Sequence, residues 1–196
     1  YQTSHAERLT WCVALAAHQA GATLVNYVEA TGPAASGTGI EARDVVSGAA
    51  FTIQARVIIS CAADGLNALH RAFGVEGEPP LLRAMNVLLD RPAFDMAHVA
   101  PTHSGRMLTA VPWRGHILVG TSQTTTPVAP RSRATHDDIA AFVHDANSAF
   151  PYLRATIDDV RLVHDGVVPA TAGPKGLDLP RDFELQRHAS RPELIT

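Results

Sequence analysis

Residues 107–124 read M-L-T-A-V-P-W-R-G-H-I-L-V-G-T-S-Q-T, and the way this stretch folds decides what kind of domain the chain builds. Two apolar runs, Met107–Val111 and Ile117–Val119, flank Pro112-Trp113-Arg114-Gly115. Apolar, turn, apolar is the pattern of a β-hairpin. The second run ends in Gly120-Thr121-Ser122, a small, hydroxyl-rich corner that a hairpin alone does not need. Short strands are expected around it at Ala84–Leu89, Met96–Ala100, His116–Thr121, Val160–Val168 and Phe183–Gln186. One helix interrupts them. Thr135-His136-Asp137-Asp138 fits a capping box, and Ile139, Phe142, Val143, Ala146 and Phe150 follow at helical spacing before Pro151.

Upstream of Glu76-Gly77-Glu78-Pro79-Pro80, which has the composition of a linker, the pattern differs. Ser4-His5-Ala6-Glu7 fits a first capping box, and Leu9, Cys12, Val13, Ala16 and Ala20 predict a helix over 5–20 closed by Gly21. Thr23–Ala30 is β-branched and aromatic, and a loop over 31–39 follows. Glu41–Val46 and Ala50–Ser60 are expected to pair across Ser47-Gly48. Val57-Ile58-Ile59 is apolar throughout, as in a strand buried on both faces. It stops at Cys61-Ala62-Ala63-Asp64-Gly65, and Leu66–Phe73 resumes helical spacing. The order of elements predicts an α+β or mixed α/β chain in two parts, 1–75 and 81–196.

Composition narrows the function classes. The 196 residues are 46% hydrophobic and 18% charged, the balance of a globular chain, and the net charge of −3 gives no electrostatic case for nucleic acid. No apolar run has the length of a membrane span. Cys12 and Cys61 form no C-x-x-C, so two free thiols in a cytoplasmic setting are expected. The ten histidines show no zinc-helix spacing and no H-E-x-x-H, which leaves no metal site to propose from sequence. G-x-S-x-G, G-x-G-x-x-G and the phosphate-binding P-loop are also missing. Asp137-Asp138 and Asp158-Asp159 sit where capping accounts for them. Two places retain interest: the small residues closing the apolar strand at 61–65, where a ligand can approach backbone, and Arg181, whose guanidinium can grip a carboxylate or phosphate with paired hydrogen bonds.

Taken in order, G-A-T-L-V-N-Y-V-E-A-T-G (21–32), A-R-V-I-I-S-C-A-A-D-G-L-N (55–67), V-P-W-R-G-H-I-L-V-G-T-S-Q-T (111–124), H-D-G-V-V-P-A (164–170) and P-R-D-F-E-L-Q (180–186) resemble segments of the FAD-dependent glycerol-3-phosphate dehydrogenases. These belong to the D-amino-acid-oxidase-like flavoprotein superfamily. The resemblance runs over nearly the whole chain. It implies part of a Rossmann-like FAD-binding domain followed by a mixed-sheet substrate cap with a flanking helix. The chain is thus expected to be a central fragment, inactive in isolation, with the N-terminal phosphate-binding motif outside it.

The resemblance also implies site residues. Ala30 falls where a strand meets the adenine of FAD, and Ala62 and Ala63 fall on an A-A-G stretch beside the cofactor, with Ala63 in place of the glycine. Arg181 matches an arginine that binds the substrate phosphate. Asn86 stands where a histidine lines the pocket, and Thr121 belongs to the same substrate site. Val168 replaces a second phosphate-binding arginine, and Gln123 replaces an aspartate. The implied activity is hydride transfer from a small anionic substrate to flavin, with a quinone or other electron acceptor. An amino-acid, amine or hydroxy-acid oxidase, or an inactive homologue serving as a binding module, remains the alternative.

Overall fold

The computed structural model describes residues 5–196. Helix α1 spans Ala6–Gln19, and the chain leaves it through Gly21 at φ 97°. The Ser4 cap lies outside the described residues. Leu9, Trp11 and Val13 are 57%, 61% and 63% exposed, so α1 buries no apolar face within this chain. Strand β1 spans Val28–Pro33 rather than 23–30, because Tyr27 takes a left-handed φ of 56° and interrupts the extended run. It pairs with β2 (Ile40–Asp44), which pairs with β3 (Ala50–Ile53), all antiparallel. The Asp44 carboxylate accepts from the N–H groups of Val46 and Ser47 and so builds the expected turn.

The strand expected over 50–60 is two pieces. After β3 the chain leaves the sheet, and β4 is only Ile58–Ile59. Val57 and Ile59 are 55% and 65% exposed, against the expected double burial. A two-residue strand at the edge of its sheet has too little neighbouring structure to cover both faces. A 3-10 turn over Ala63–Gly65 leads into α2 (Leu66–Phe73), closed by Gly74 at φ 65°. The expected linker is tied to α2. His70 Nδ1 bonds Gly77 O at 2.6 Å, Asn67 Nδ2 donates to Pro79 O at 3.1 Å, and Arg71 pairs with Glu78 at 2.7 Å.

Next come β5 (Leu81–Leu89), β6 (His98–Pro101), β7 (Met107–Trp113), β8 (His116–Gln123), α3 (His136–Ala149) and β9 (Val160–Pro169). Residues 107–124 thus form the expected hairpin, β7–β8, turning at Arg114-Gly115. The five strands make one antiparallel sheet in the order β6-β7-β8-β5-β9. Helix α3 covers one face. Phe142, Val143, Ala146 and Phe150 bury themselves with Met85, Val87, Leu89, Leu108, Ala110, Ile117 and Val119. Each fully buried large side chain here contributes about 1.5–3 kcal/mol. Thr135 caps α3 in a two-way box with Asp138, and Thr156 with Asp159 repeats the device before β9. A small hairpin of β10 (Thr171–Gly173) and β11 (Gly176–Asp178) follows.

The strand expected at Phe183–Gln186 is absent. Phe183 and Leu185 are 87% and 70% exposed; Gln186 exchanges two backbone hydrogen bonds with Thr196, and pairing continues in β12 (Arg187–His188) and β13 (Arg191–Ile195). Strand β13 runs parallel to β4, with Leu194 opposite Ile58, and Leu194 packs with Phe73 and Val75. Residues 5–79 and 180–196 accordingly form one unit and 80–179 the other, whereas the sequence divided the chain at 75–81 and kept its end with the second part.

Candidate functional site

Alternation along β5 divides its side chains between two faces. Met85, Val87 and Leu89 point to α3, so Ala84, Asn86 and Leu88 point away from it. On β9, His164 is the direct partner of Asn86, while its neighbour Val163 packs on the α3 side. On β8 the register slips. Met85 faces Ser122 and Val87 faces Val119, so Gly120 and Thr121 together oppose the single residue Asn86. That is a β-bulge, and it re-aims a side chain. Thr121 Oγ1 donates to Asn86 Oδ1 at 2.9 Å. A Cβ at position 120 would stand 1.5 Å from the same Oδ1, which is why glycine occupies the corner.

The consequence is chemical. With Oδ1 held by Thr121, Asn86 Nδ2 has no partner among the described residues and can offer two N–H groups to an acceptor above this face. His164, exposed beside it, supplies an imidazole within the same row, and its ring meets Trp113 edge-on with centroids 6.3 Å apart. Arg114 lies over the Trp113 ring at 4.6 Å. An apolar ring, an imidazole and an oriented amide form a surface able to hold a small hydroxylated molecule and exchange a proton with it.

The other sequence-predicted positions are less concentrated. Asn86 and Thr121 are brought into contact. Arg181 lies in the other unit, exposed in the irregular segment before β12. Ala30, on β1, and Ala62 and Ala63, at the end of β4, are exposed in that unit as well. Ala63 adopts φ 48°, a conformation that suits glycine, and glycine is the residue the resembled motif carries there. Gln123 is not left without a function by the change from aspartate, since its Nε2 donates to Asp178 Oδ1 at 2.7 Å. Val168 is half-buried on β9 opposite Leu82.

Sequence reasoning missed His164 and Trp113. His164 within the run V-R-L-V-H-D-G-V-V was the available signal, but its partner depends on register. It also missed the ion pair behind the sheet, where buried Arg83 donates from Nη2 to half-buried Asp138 Oδ2 at 2.7 Å and from Nη1 to Arg133 O at 2.7 Å. Nearby, burial works against the Asp165 carboxylate, yet the Ala134 N–H and the Arg133 guanidinium outweigh it and hold its pKa below the ordinary value. Cys12 and Cys61 are free and exposed. Among the described residues no helix is long and apolar enough to cross a membrane.

Comparison with known proteins gives consistent likenesses. A family model described as FAD dependent oxidoreductase matches residues 1–188. A glycerol-3-phosphate dehydrogenase of Synechocystis is 27% identical, covering 96% of this chain and 38% of the relative. An alpha-glycerophosphate oxidase of Streptococcus pneumoniae is 25% identical over 83% of this chain and 29% of its own length. Among solved structures, the glycerol-3-phosphate dehydrogenase of Bacillus halodurans, complexed with FAD, superposes with a TM-score of 0.78 at 26% identity, covering 96% of this chain and 38% of that one. Glycine oxidase of Geobacillus kaustophilus shares the fold, with a TM-score of 0.63 at 20% identity over 95% of this chain and 46% of that one. The chain therefore spans well under half the length of these relatives.

Proposed function

The chain belongs to the family of FAD dependent oxidoreductases, and on that premise we propose that it forms the substrate-holding part, with some of the cofactor-holding part, of a glycerol-3-phosphate dehydrogenase-like enzyme. The observation that carries the reading is the row Thr121–Asn86–His164 across three neighbouring strands, with the amide oxygen fixed and the amide N–H groups without a partner among the described residues. In this reading Asn86 Nδ2 binds the substrate oxygen. Thr121 orients Asn86. His164 accepts the hydroxyl proton on an imidazole nitrogen as the carbon is oxidised, and Trp113 walls the face against water. Arg181 is proposed to bind the anionic group of the substrate.

The residues present fit FAD at one point. Ala62 and Ala63 carry only methyl groups, both are exposed, and the backbone at Ala63 takes a left-handed φ of 48°, a conformation that suits glycine. Ala30, Ala62 and Ala63 are the residues proposed to hold it. FAD, when bound, supplies the hydride acceptor. The proposed partners are a small anionic substrate and a quinone or other electron acceptor, and the proposed setting is the cytoplasm, at the inner face of a membrane.

Val168 favours a second reading. With a half-buried valine at the expected second arginine, a single arginine suits one carboxylate better than a phosphate dianion. An amino-acid or hydroxy-acid oxidase is the result. Dye reduction by the flavin-loaded full-length enzyme that contains this chain separates the two, with glycerol 3-phosphate, an amino acid and a hydroxy acid as substrates. His164→Ala and Asn86→Ala are expected to lower kcat/KM for the preferred substrate by about tenfold or more each. Unchanged rates in both variants overturn the assignment.

A further inference from the structure

Behind the sheet, on the α3 side and so on the face opposite Asn86 and His164, unit 80–179 contains a cavity of about 350 Å³. That volume is at the small end of ligand pockets. Its charges sort into two groups. Arg83 and Asp138 close on each other at 2.7 Å, Arg83 also donates to Ser132 Oγ and Arg133 O, and the same Asp138 oxygen accepts from Thr135. Their charges offset each other. Arg106 and Asp145 do not pair. Arg106, half-buried, has a single bond from Nη1 to Ser122 Oγ at 3.3 Å, and the half-buried Asp145 carboxylate has no hydrogen bond or ion pair among the described residues. Both line the same cavity, together with Met85 and Phe142 from the core.

A cation and an anion with no ion-pair partner among the described residues, in one pocket over an apolar floor, are complementary to a molecule that carries both charges. A simple anion satisfies Arg106 and leaves Asp145 repelling it, and a simple cation does the reverse. The geometry points to a binding site for a small zwitterion, with its carboxylate on Arg106, its ammonium on Asp145 and its methylene groups on Met85 and Phe142. This site is independent of the proposed oxidation, since it lies on the other face of the sheet and uses none of the residues assigned to that reaction.

Isothermal titration of the full chain tests it, with glycine, β-alanine and 4-aminobutyrate as zwitterions of increasing charge separation and acetate and methylammonium as single-charge controls. At least one zwitterion is expected to bind saturably, and each control at least about tenfold more weakly, because it forfeits one charged hydrogen bond. Asp145→Asn and Arg106→Met are each expected to weaken zwitterion binding by a similar factor. Thermal melts without ligand establish that each variant is folded, and either one suffices if the other is not. Three outcomes overturn the proposal: no zwitterion binding tighter than about 10 mM, acetate binding as well as the zwitterions, or binding that persists unchanged in the folded variants.

Discussion

Asn86 and Thr121, 35 residues apart in sequence, meet through a 2.9 Å hydrogen bond at a β-bulge, and Gly120 leaves the space in which they meet. The relationship explains why the hairpin of residues 107–124 ends in a small, hydroxyl-bearing corner. The corner is where β8 gains a residue on β5 and presents a hydroxyl to the amide oxygen of Asn86.

Gly120→Ala puts a methyl group 1.5 Å from Asn86 Oδ1, so the amide must move. The expected stability loss is about 1–3 kcal/mol, the usual cost of overpacking. Activity should fall further than stability, because the displaced amide is the proposed substrate ligand. Urea denaturation and dye reduction on the same preparation separate the two effects, and a variant with normal rates would sink the role given to Asn86.

Stability should decline in two stages on acidification. Burial, and then the neighbouring His70, lower the pKa of His188 below 6.5. The two rings meet edge-on at 5.3 Å, and His188 Nε2 bonds Thr196 Oγ1 at 2.9 Å. The unfolded chain therefore takes up this proton first, so the contribution of neutral His188 is intact above pH 6.5 and is lost as pH falls through its folded pKa. Asp138 follows at lower pH. The Thr135 N–H and hydroxyl, and then Arg83, lower its pKa below 3.8, so its contribution is present above that value and is lost beneath it. Melting temperatures measured from neutral to acid pH should show both declines, and His188→Gln should flatten the first alone.

Asn147 on α3 fastens the segment before β9. Its Nδ2 donates to Ala155 O at 2.7 Å, and Ala155 N donates to its Oδ1 at 2.8 Å. Ala155 is buried, so Asn147→Ala leaves two backbone groups without partners. The expected cost is about 2–6 kcal/mol, at 1–3 kcal/mol for each stranded group, read as a lower urea midpoint with unchanged slope.

Arg181→Ala should raise KM for an anionic substrate about tenfold or more with little change in kcat, since one charged hydrogen-bonding partner is removed from binding. Steady-state kinetics on the flavin-loaded protein decides it. An unaltered KM removes Arg181 from the site.

Local chemistry was legible wherever it was self-contained. Leu66–Phe73 is helical at the expected bounds, the Thr135–Asp138 box forms as the spacing implies, and residues 107–124 turn where Arg114-Gly115 stand. Elements whose existence depends on a distant partner were misread. Val57-Ile58-Ile59 has the apolarity of a central strand but lies at an edge, with β13 beside it, and of Phe183–Gln186 only Gln186 finds a backbone partner, Thr196.

The sequence alone determined the family, because an ordered series of short motifs survives without any coordinates. It determined the α+β character for the same reason, since helix periodicity and strand alternation are local. Only the tertiary structure decided what the motifs become. The period of two along β5, β8 and β9 says that alternate residues share a face but not which residues of different strands meet there. Pairing brought His164 beside Asn86, and one extra residue in β8 turned Thr121 onto it. Register is fixed by packing over the whole sheet, so no stretch of sequence contains it.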